Sequence, residues 1–327
     1  MIGVVGTRLT GVADALAERM GLGETLVGAV LLGASTSLSG IVTSVTVAAG
    51  SSAELAVSNA VGGIAAQTFV LAVADAFYPR ANLEYAAASP TNLAQGALLI
   101  TLLAILLVAF AGPEISFWGV HPATPLLLGA YLLGLRMISK AQTQPIWQAT
   151  RTSETQIEEE QEESEHGDFD DVGTRLLWVR FALYAPLIGA AGWVVARAGV
   201  NIAEQTGLTV TPVGGVFNAV VTSLPELVTS VAAVRRGAVS LAVGGIIGGN
   251  AFDTIVVAFS DVAHREGSIY HAISEHQVYL ISLTVLLTGL LLLGLLRREK
   301  YGVANIDFDS LLIMILYLTS FTFLAFD

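Results

Sequence analysis

The sequence predicts an all-α membrane protein, a polytopic helical bundle made of two inverted repeats. Three observations point to this fold class. The chain of 327 residues is 54% hydrophobic and 13% charged, with a mean hydropathy of +0.70, whereas a soluble domain carries roughly twice that charged fraction. The apolar residues fall in long segments, and one block of about forty residues recurs later in the chain.

Nine apolar segments are each near the ~20 residues that a helix needs to cross a bilayer. They predict nine transmembrane helices joined by polar or charged connections. The segments are Glu24–Ala49, Ala53–Tyr78, Asn92–Gly112, Pro122–Ile138, Leu176–Ala196, Thr209–Val234, Ala238–Val262, Val278–Leu296 and Leu311–Phe326.

Much of the net charge of −12 lies in one acidic run, SETQIEEEQEESEHGDFDD, from Ser153 to Asp171. This run predicts a solvated linker between the first four segments and the last five. The acidic balance argues against a nucleic-acid partner. The lack of cysteine excludes disulfides and thiolate metal sites, and without a phosphate-binding Gly-Lys motif an ATP-driven pump is not indicated. We therefore expect a membrane protein that is not an enzyme and holds no permanently bound cofactor.

Lysine and arginine set the predicted orientation, because short cytoplasmic loops are enriched in both. Of the 15 basic residues, twelve fall on one side of the predicted segments, including Arg8 and Arg19 near the N-terminus. Only Arg197 and Arg265 fall on the other side, and Arg180 lies within a segment. The pattern predicts a multi-pass cell-membrane protein whose N-terminus and acidic linker are cytoplasmic and whose C-terminus is extracellular.

An internal repeat relates the two halves. Thr36–Asp75 aligns without a gap on Thr222–Asp261, an offset of 186 residues, and 17 of the 40 positions are identical. In the predicted topology the two copies cross the membrane in opposite directions, so the repeats are inverted. Inverted repeats with interrupted helices are a transporter architecture, in which the substrate site lies where the interruptions meet.

The repeat and the linker divide the chain into three parts: residues 1–138, the first repeat; residues 139–174, the acidic cytoplasmic linker; and residues 175–327, the second repeat. The segment Leu176–Ala196 precedes the second copy, but its counterpart in the first copy would start before Met1. We therefore expect the first repeat to lack its first helix, either in the protein itself or because its start lies further upstream.

The stretch TSLPELVTS, which starts at Thr222, places a proline and a carboxylate inside an apolar segment. Pro225 has no N–H, and its ring clashes with the carbonyl of Val221, so it interrupts the helix and frees nearby backbone carbonyls. In hydrocarbon those carbonyls need a partner, and Glu226 adds a charge at the same depth. Carboxylate, carbonyl and hydroxyl oxygens are the ligands that hard cations such as Na⁺ and Ca²⁺ prefer. The interruption therefore predicts a cation site.

A second pattern, GGIIGGNAFDT from Gly244 to Thr254, follows in the next segment. Asn250 and Asp253 are three residues apart and share one helical face. The glycines allow another helix to approach closely, and an aspartate in the middle of an apolar segment indicates a further cation ligand.

The block GVFNAVVTSLPELVTSVAAVRRGAVSLAVGGIIGGNAFDT resembles the second alpha-repeat of the cation/calcium exchanger superfamily, the sodium/calcium exchangers. The family pattern is a Thr-Ser-Leu-Pro-Glu turn followed by Gly-Asn-x-x-Gly-Ser-Asn-x-x-Asn/Asp. The resemblance implies two inverted halves of five helices, ten in all, with Na⁺ and Ca²⁺ sharing one central site. It further implies ligands at the Glu226 and Asp253 carboxylates, the Thr222 carbonyl and the Ser223 hydroxyl, whereas Gly249 stands where the family usually has serine.

The first repeat departs from this pattern. In TSLSGIVTS, Ser39 replaces the proline and Gly40 replaces the glutamate, and Gln67 takes the final Asn/Asp position. Neutral oxygens and room for water remain where a carboxylate is expected. The predicted cation ligands are Glu226, Asp253, Thr222, Ser223, Thr36 and Ser37, and the residues expected to line the site are Gly40, Ser39, Gln67, Asn250, Asn59 and Gly249.

Three functions follow as alternatives. The main prediction is secondary-active antiport of Na⁺ and Ca²⁺, because Glu226 and Asp253 can together neutralise one divalent ion. The second is Na⁺/H⁺ or other monovalent cation exchange. Gly40 in place of the expected glutamate leaves a less charged site, and burial favours the protonated form of a carboxylic acid. The third is a channel-like or non-transporting membrane protein with a degenerate site. The expected partners are the transported Na⁺ and Ca²⁺ (or H⁺) and the lipid bilayer, and the sequence indicates no oligomeric state.

Overall fold

A computed structural model of the protein describes residues 1–20, 33–76, 83–87, 89–143, 172–206, 210–236, 239–297 and 308–326. These residues form helices and no β-strand, apart from an isolated bridge between Phe117 and Val120. The helices are α1 (Ile2–Arg19), α2 (Leu38–Ala49), α3 (Ala53–Ala76), α4 (Leu83–Ala86), α5 (Pro90–Ala111), α6 (Ala123–Thr143), α7 (Thr174–Thr206), α8 (Val210–Pro212), a π-helix (Val213–Asn218), α9 (Ala219–Thr222), α10 (Leu224–Arg236), α11 (Val239–Ala263), α12 (Glu275–Arg297) and α13 (Phe308–Phe326).

Five helices in the described part are long and apolar enough to cross a membrane: α3, α5, α7, α11 and α12. A sixth candidate is a bent pair, Val213–Thr222 and Leu224–Val234, whose two parts meet at 57°. These helices agree with the predicted all-α membrane protein, whereas the count of nine spans and the inversion of the repeats stay predictions. The acidic run and the start of the first apolar segment lie outside the described residues, and α6 continues to Thr143, past the predicted start of the linker at residue 139.

The helix α1 corrects one expectation, namely that the first repeat lacks a first helix. With the same offset of 186 residues, Ile2–Arg19 falls on residues 188–205, the later part of α7. The contacts match as well. A Cβ atom built at Gly6 would lie 2.4 Å from Pro225 Cγ, and one built at the equivalent Gly192 would lie 2.6 Å from the carbonyl oxygen of Ser39, the equivalent of Pro225. Hydropathy did not indicate α1 because charged side chains interrupt its apolar residues.

The position of α1 relates the two ends of that helix to α7. Arg19 Nη1 donates to Thr174 Oγ1 at 3.4 Å, so the last turn of α1 lies beside the end of α7 that follows the linker. Met1 lies at the opposite end of this 18-residue helix, which is roughly 27 Å long at 1.5 Å per residue. Arg19 therefore lies near the start of α7, and the side of the membrane on which the N-terminus lies stays a prediction.

Connections that were predicted to share one side of the membrane contact each other. Ser51 Oγ, after α2, donates to Glu266 Oε1 at 2.6 Å. Asp261 Oδ2, in the last turn of α11, accepts from the His121 N–H at 2.9 Å and from Thr124 Oγ1 at 2.6 Å. These contacts hold the α2–α3, α5–α6 and α11–α12 connections together at one end of the bundle.

Close packing of α3 on the π-helix gives a first testable prediction. A Cβ atom at Gly62 would lie 2.3 Å from Gly215 Cα and 2.4 Å from the Gly215 carbonyl oxygen. These are backbone atoms, which cannot move away as the end of a flexible side chain can. We expect Gly62→Ala to lower the free energy of unfolding by about 1–3 kcal/mol through overpacking, measured as a lower melting temperature in detergent. Gly129→Ala is the control, because a Cβ there meets nothing within 4 Å and alanine favours a helix. Equal melting temperatures for the two variants would contradict the prediction.

Candidate functional site

Both repeats interrupt a helix at the same serine. Ser37 has φ −86° and ψ 8°, and its repeat equivalent Ser223 has φ −88° and ψ 6°. The N–H of each serine donates over 3.0 Å to an equivalent carbonyl, that of Gly33 or Ala219. The interruption was expected from Pro225, but the first repeat has the same break with no proline. The break is therefore a property of both repeats, and proline is one way of accommodating it.

A cavity lies between the two breaks. Its lining comes from α2, α3, α10 and α11 and from the residues at the breaks, so both repeats contribute. Seven of the predicted site residues meet there. The lining residues are Ser37, Gly40, Asn59, Ala60, Gly63, Thr222, Ser223, Glu226, Asp253 and Val256.

Two carboxylates dominate the chemistry of this cavity. Glu226 is 6% exposed and Asp253 is 8% exposed. Asp253 accepts hydrogen bonds from the Ser37 hydroxyl and, at 3.0 Å, from Gln67 Nε2, whereas Glu226 Oε2 has no hydrogen-bond partner among the described residues. No lysine or arginine is among the residues that line the cavity. Buried negative charge without a basic partner is costly unless a cation compensates it.

The contacts around these carboxylates pair equivalent residues of the two repeats. Ser37 donates to Asp253, and the equivalent contact joins Gln67 Nε2 to Ser223 Oγ at 3.2 Å. Gln67 and Asp253 are themselves repeat equivalents and contact each other directly. The two repeats therefore meet at the centre of the site. There the first repeat contributes the amide of Gln67, and the second contributes the carboxylate of Asp253.

A second network positions Thr222. Its backbone carbonyl accepts from Ser39 Oγ at 2.8 Å, and its hydroxyl donates to Asn59 Oδ1 at 3.4 Å. Asn59 in turn donates through Nδ2 to Ser44 Oγ at 2.9 Å. Ser44 is not among the predicted site residues, although its identity with Ser230 across the repeat was a signal for it.

Five predicted site residues lie outside the cavity lining. Ser39 and Gln67 are hydrogen-bonded through their side chains to residues of the lining, whereas the other three are not. Thr36 directs its hydroxyl to the carbonyl of Gly33 at 2.9 Å, within its own helical turn. Asn250 lies one turn before Asp253 and donates to Thr68 Oγ1 at 3.3 Å. Gly249 offers no side chain, and a Cβ there would meet nothing within 4 Å. For these three residues, proximity in sequence to the ligand candidates did not translate into a place in the cavity.

The donor set favours hard cations. In the described residues there is no group of three His, Cys, Asp or Glu side chains placed to hold a metal ion, which is the arrangement that transition metals usually require. The cavity instead offers two carboxylates together with hydroxyl and amide oxygens. Na⁺ and Ca²⁺ both accept such mixed oxygen ligands.

Known proteins resemble this chain over most of its length. The protein named putative antiporter CaxA from Alkalimonas amylolytica is 27% identical, over 88% of this chain and 85% of its own. The inner membrane protein YrbG of Escherichia coli strain K12 is 40% identical over a quarter of this chain.

Solved structures share the fold. The sodium-calcium exchanger NCX_Mj, soaked with 100 mM Na⁺ and 10 mM Sr²⁺, superposes with a TM-score of 0.59 at 19% identity, covering 98% of this chain and 94% of its own. Native YfkE gives a TM-score of 0.64 at 12% identity, covering 99% and 89%.

The family profile described as sodium/calcium exchanger protein matches residues 1–136 and 176–326, which together leave out little more than the linker. Fold, repeat and profile agree, and the chain belongs to the sodium/calcium exchanger family of membrane ion exchangers.

Proposed function

We propose that the protein is a secondary-active cation antiporter that exchanges Na⁺ for Ca²⁺ at the cavity between the two helix breaks. The observation that carries this proposal is the pair Glu226 and Asp253, two buried carboxylates that line one cavity with neutral oxygens and no basic side chain. Two carboxylates neutralise one Ca²⁺, and the same oxygens suit Na⁺. Because the two cations would use the same ligands, they would bind in turn, as exchange requires.

Alternating access would arise from the two repeats. The cavity lies at their meeting point, and each repeat contributes one helix break to it. Movement of one repeat relative to the other would open the cavity to one side of the membrane and then to the other. The name of the relative CaxA, putative antiporter, supports exchange as the mode of transport.

Monovalent or proton-coupled exchange is the second candidate, and Gly40 favours it. Glycine stands there in place of the glutamate of the second repeat, so the cavity has two carboxylates rather than three. Asp253 already accepts hydrogen bonds at both of its oxygens, from Ser37 and Gln67. Glu226 is then the main unpaired acceptor, and one carboxylate with neutral oxygens suits Na⁺ or a proton better than Ca²⁺.

Purified protein in vesicles separates these functions. The vesicles are loaded with Na⁺ and diluted into Na⁺-free buffer, and Ca²⁺ uptake and internal pH are recorded together. Ca²⁺ uptake that depends on the Na⁺ gradient supports the main proposal, and a pH change without Ca²⁺ uptake supports the second candidate. If neither Ca²⁺ nor H⁺ moves with the gradient, both proposals fail and a channel-like or non-transporting membrane protein is the remaining alternative.

A further inference from the structure

Ser39 makes a contact that its repeat equivalent, Pro225, has no hydroxyl to make. The Ser39 side chain is fully buried, with 0% exposure, and its hydroxyl donates to the backbone carbonyl of Thr222 at 2.8 Å. The bond joins the two repeats, because Ser39 belongs to the first and Thr222 to the second. It is also directed at a carbonyl oxygen next to the cavity that contains Glu226.

The surrounding helices hold Ser39 in place. Thr43 Oγ1 donates to the Ser39 carbonyl at 2.7 Å and lies 2.9 Å from the carbonyl of Gly192 in α7. A Cβ atom at Gly192 would lie 2.6 Å from the Ser39 carbonyl oxygen, so the two backbones are in direct contact. The backbone of Ser39 is therefore held in place by α7 and by Thr43.

A cation at this cavity and the Ser39 hydroxyl require the same oxygen. A buried carbonyl without a partner is costly, and the Ser39 hydroxyl removes that cost when no cation binds the carbonyl. A cation that uses the carbonyl as a ligand must share or displace this hydrogen bond, and the lost bond lowers the net gain from binding. The second repeat has no such competitor, because proline has no side-chain donor.

We propose that the Ser39 hydroxyl competes with the transported cation for the carbonyl of Thr222 and so lowers the cation affinity of the site. The inference rests on the proposed function in one respect, namely that the cavity around Glu226 binds the transported cation. Its consequences are that Ser39 weakens cation binding and stabilises the protein when no cation is bound.

The test combines melting temperatures with calorimetric binding of Ca²⁺ and Na⁺ to the full-length protein in detergent. Ser39→Ala removes the hydroxyl and leaves the Thr222 carbonyl without its donor. We expect the cation dissociation constant to fall about fivefold, the effect of one net hydrogen bond. We also expect a lower melting temperature in buffer with chelator and choline chloride, and a much smaller loss at saturating cation.

Thr288→Val is the matched control. Thr288 is 1% exposed and donates to the Thr284 carbonyl at 2.8 Å within α12, and neither residue lines the cavity. Loss of the Thr288 hydroxyl should lower the melting temperature equally with and without cation and leave the cation dissociation constant unchanged. Ser39→Thr retains a hydroxyl and should keep the wild-type affinity.

The outcomes are distinct. If Ser39→Ala lowers the melting temperature equally in both buffers, or binds the cation as weakly as the wild type or more weakly, the inference is overturned and the proposed function stands. If neither Na⁺ nor Ca²⁺ raises the melting temperature of the wild type, the proposed function fails, and the inference fails with it.

Discussion

Glu226→Gln is expected to lower Na⁺-driven Ca²⁺ uptake about 100-fold or more in loaded vesicles. Glutamine preserves the shape of the side chain but removes the charge, and losing one charged partner in a buried site costs roughly 3–5 kcal/mol. Glu226 Oε2 has no hydrogen-bond partner among the described residues, so no protein donor there takes the cation's place. The measurement is the initial rate of Ca²⁺ uptake, with cation-dependent melting as a second readout.

Glu54→Gln is the matched control for this variant. Glu54 lies in the first turn of α3, outside the residues that line the cavity. The same chemical change there should leave the uptake rate within about twofold of the wild type, as for most surface substitutions. If Glu226→Gln transports Ca²⁺ as fast as Glu54→Gln, the Glu226 carboxylate is not a cation ligand.

Gly40→Glu is expected to raise the affinity for Ca²⁺ about tenfold, because the number of charged ligands sets how tightly oxygen sites hold this ion. Gly40 lines the cavity, and it is the repeat equivalent of Glu226. A Cβ atom built there would lie 3.9 Å from Thr222 Oγ1, an ordinary contact, so the position accepts a Cβ atom without clash. The Ca²⁺ dependence of uptake and calorimetric binding measure the change.

Gly40→Gln separates charge from bulk. It fills the same space with a neutral side chain, so its Ca²⁺ affinity should stay near that of the wild type or fall below it. Equal gains for Gly40→Gln and Gly40→Glu would show that bulk rather than charge limits the wild-type site. A protein that exchanges only monovalent cations in its natural form should gain Ca²⁺ transport with Gly40→Glu alone.

The two carboxylates at the cavity could be predicted because an ionisable residue in an apolar segment is conspicuous in a sequence. Glu226 beside Pro225, and Asp253 within a glycine-rich segment, were found in this way, and both line the cavity. The repeat alignment then gave Ser37 as the residue of the first repeat that is equivalent to Ser223. Asn59 and Gly40 followed by equivalence or by spacing, and both line the cavity.

Local sequence was a weaker guide to the helix breaks and to α1. Pro225 led to the prediction of one break, but the equivalent break at Ser37 has no proline and the same backbone angles. Charged residues in α1 concealed a helix whose Gly6 packs on Pro225. In both cases the conformation depends on packing against residues that are distant in the chain.

The sequence by itself determined that this is a helical membrane protein, that its halves are repeats, and that the two carboxylates predicted as cation ligands, Glu226 and Asp253, belong to the second repeat. These properties depend on composition, on the burial of apolar segments and on the identity of single residues, all of which can be read along one chain. Only the tertiary structure decided that Ser39 donates to Thr222, that Gln67 bonds to Asp253, and that Thr36 and Asn250 point elsewhere. A buried polar group takes whichever partner the packing brings within about 3 Å. For Ser39, Gln67 and Asn250 that partner lies in the other repeat, more than 150 residues away.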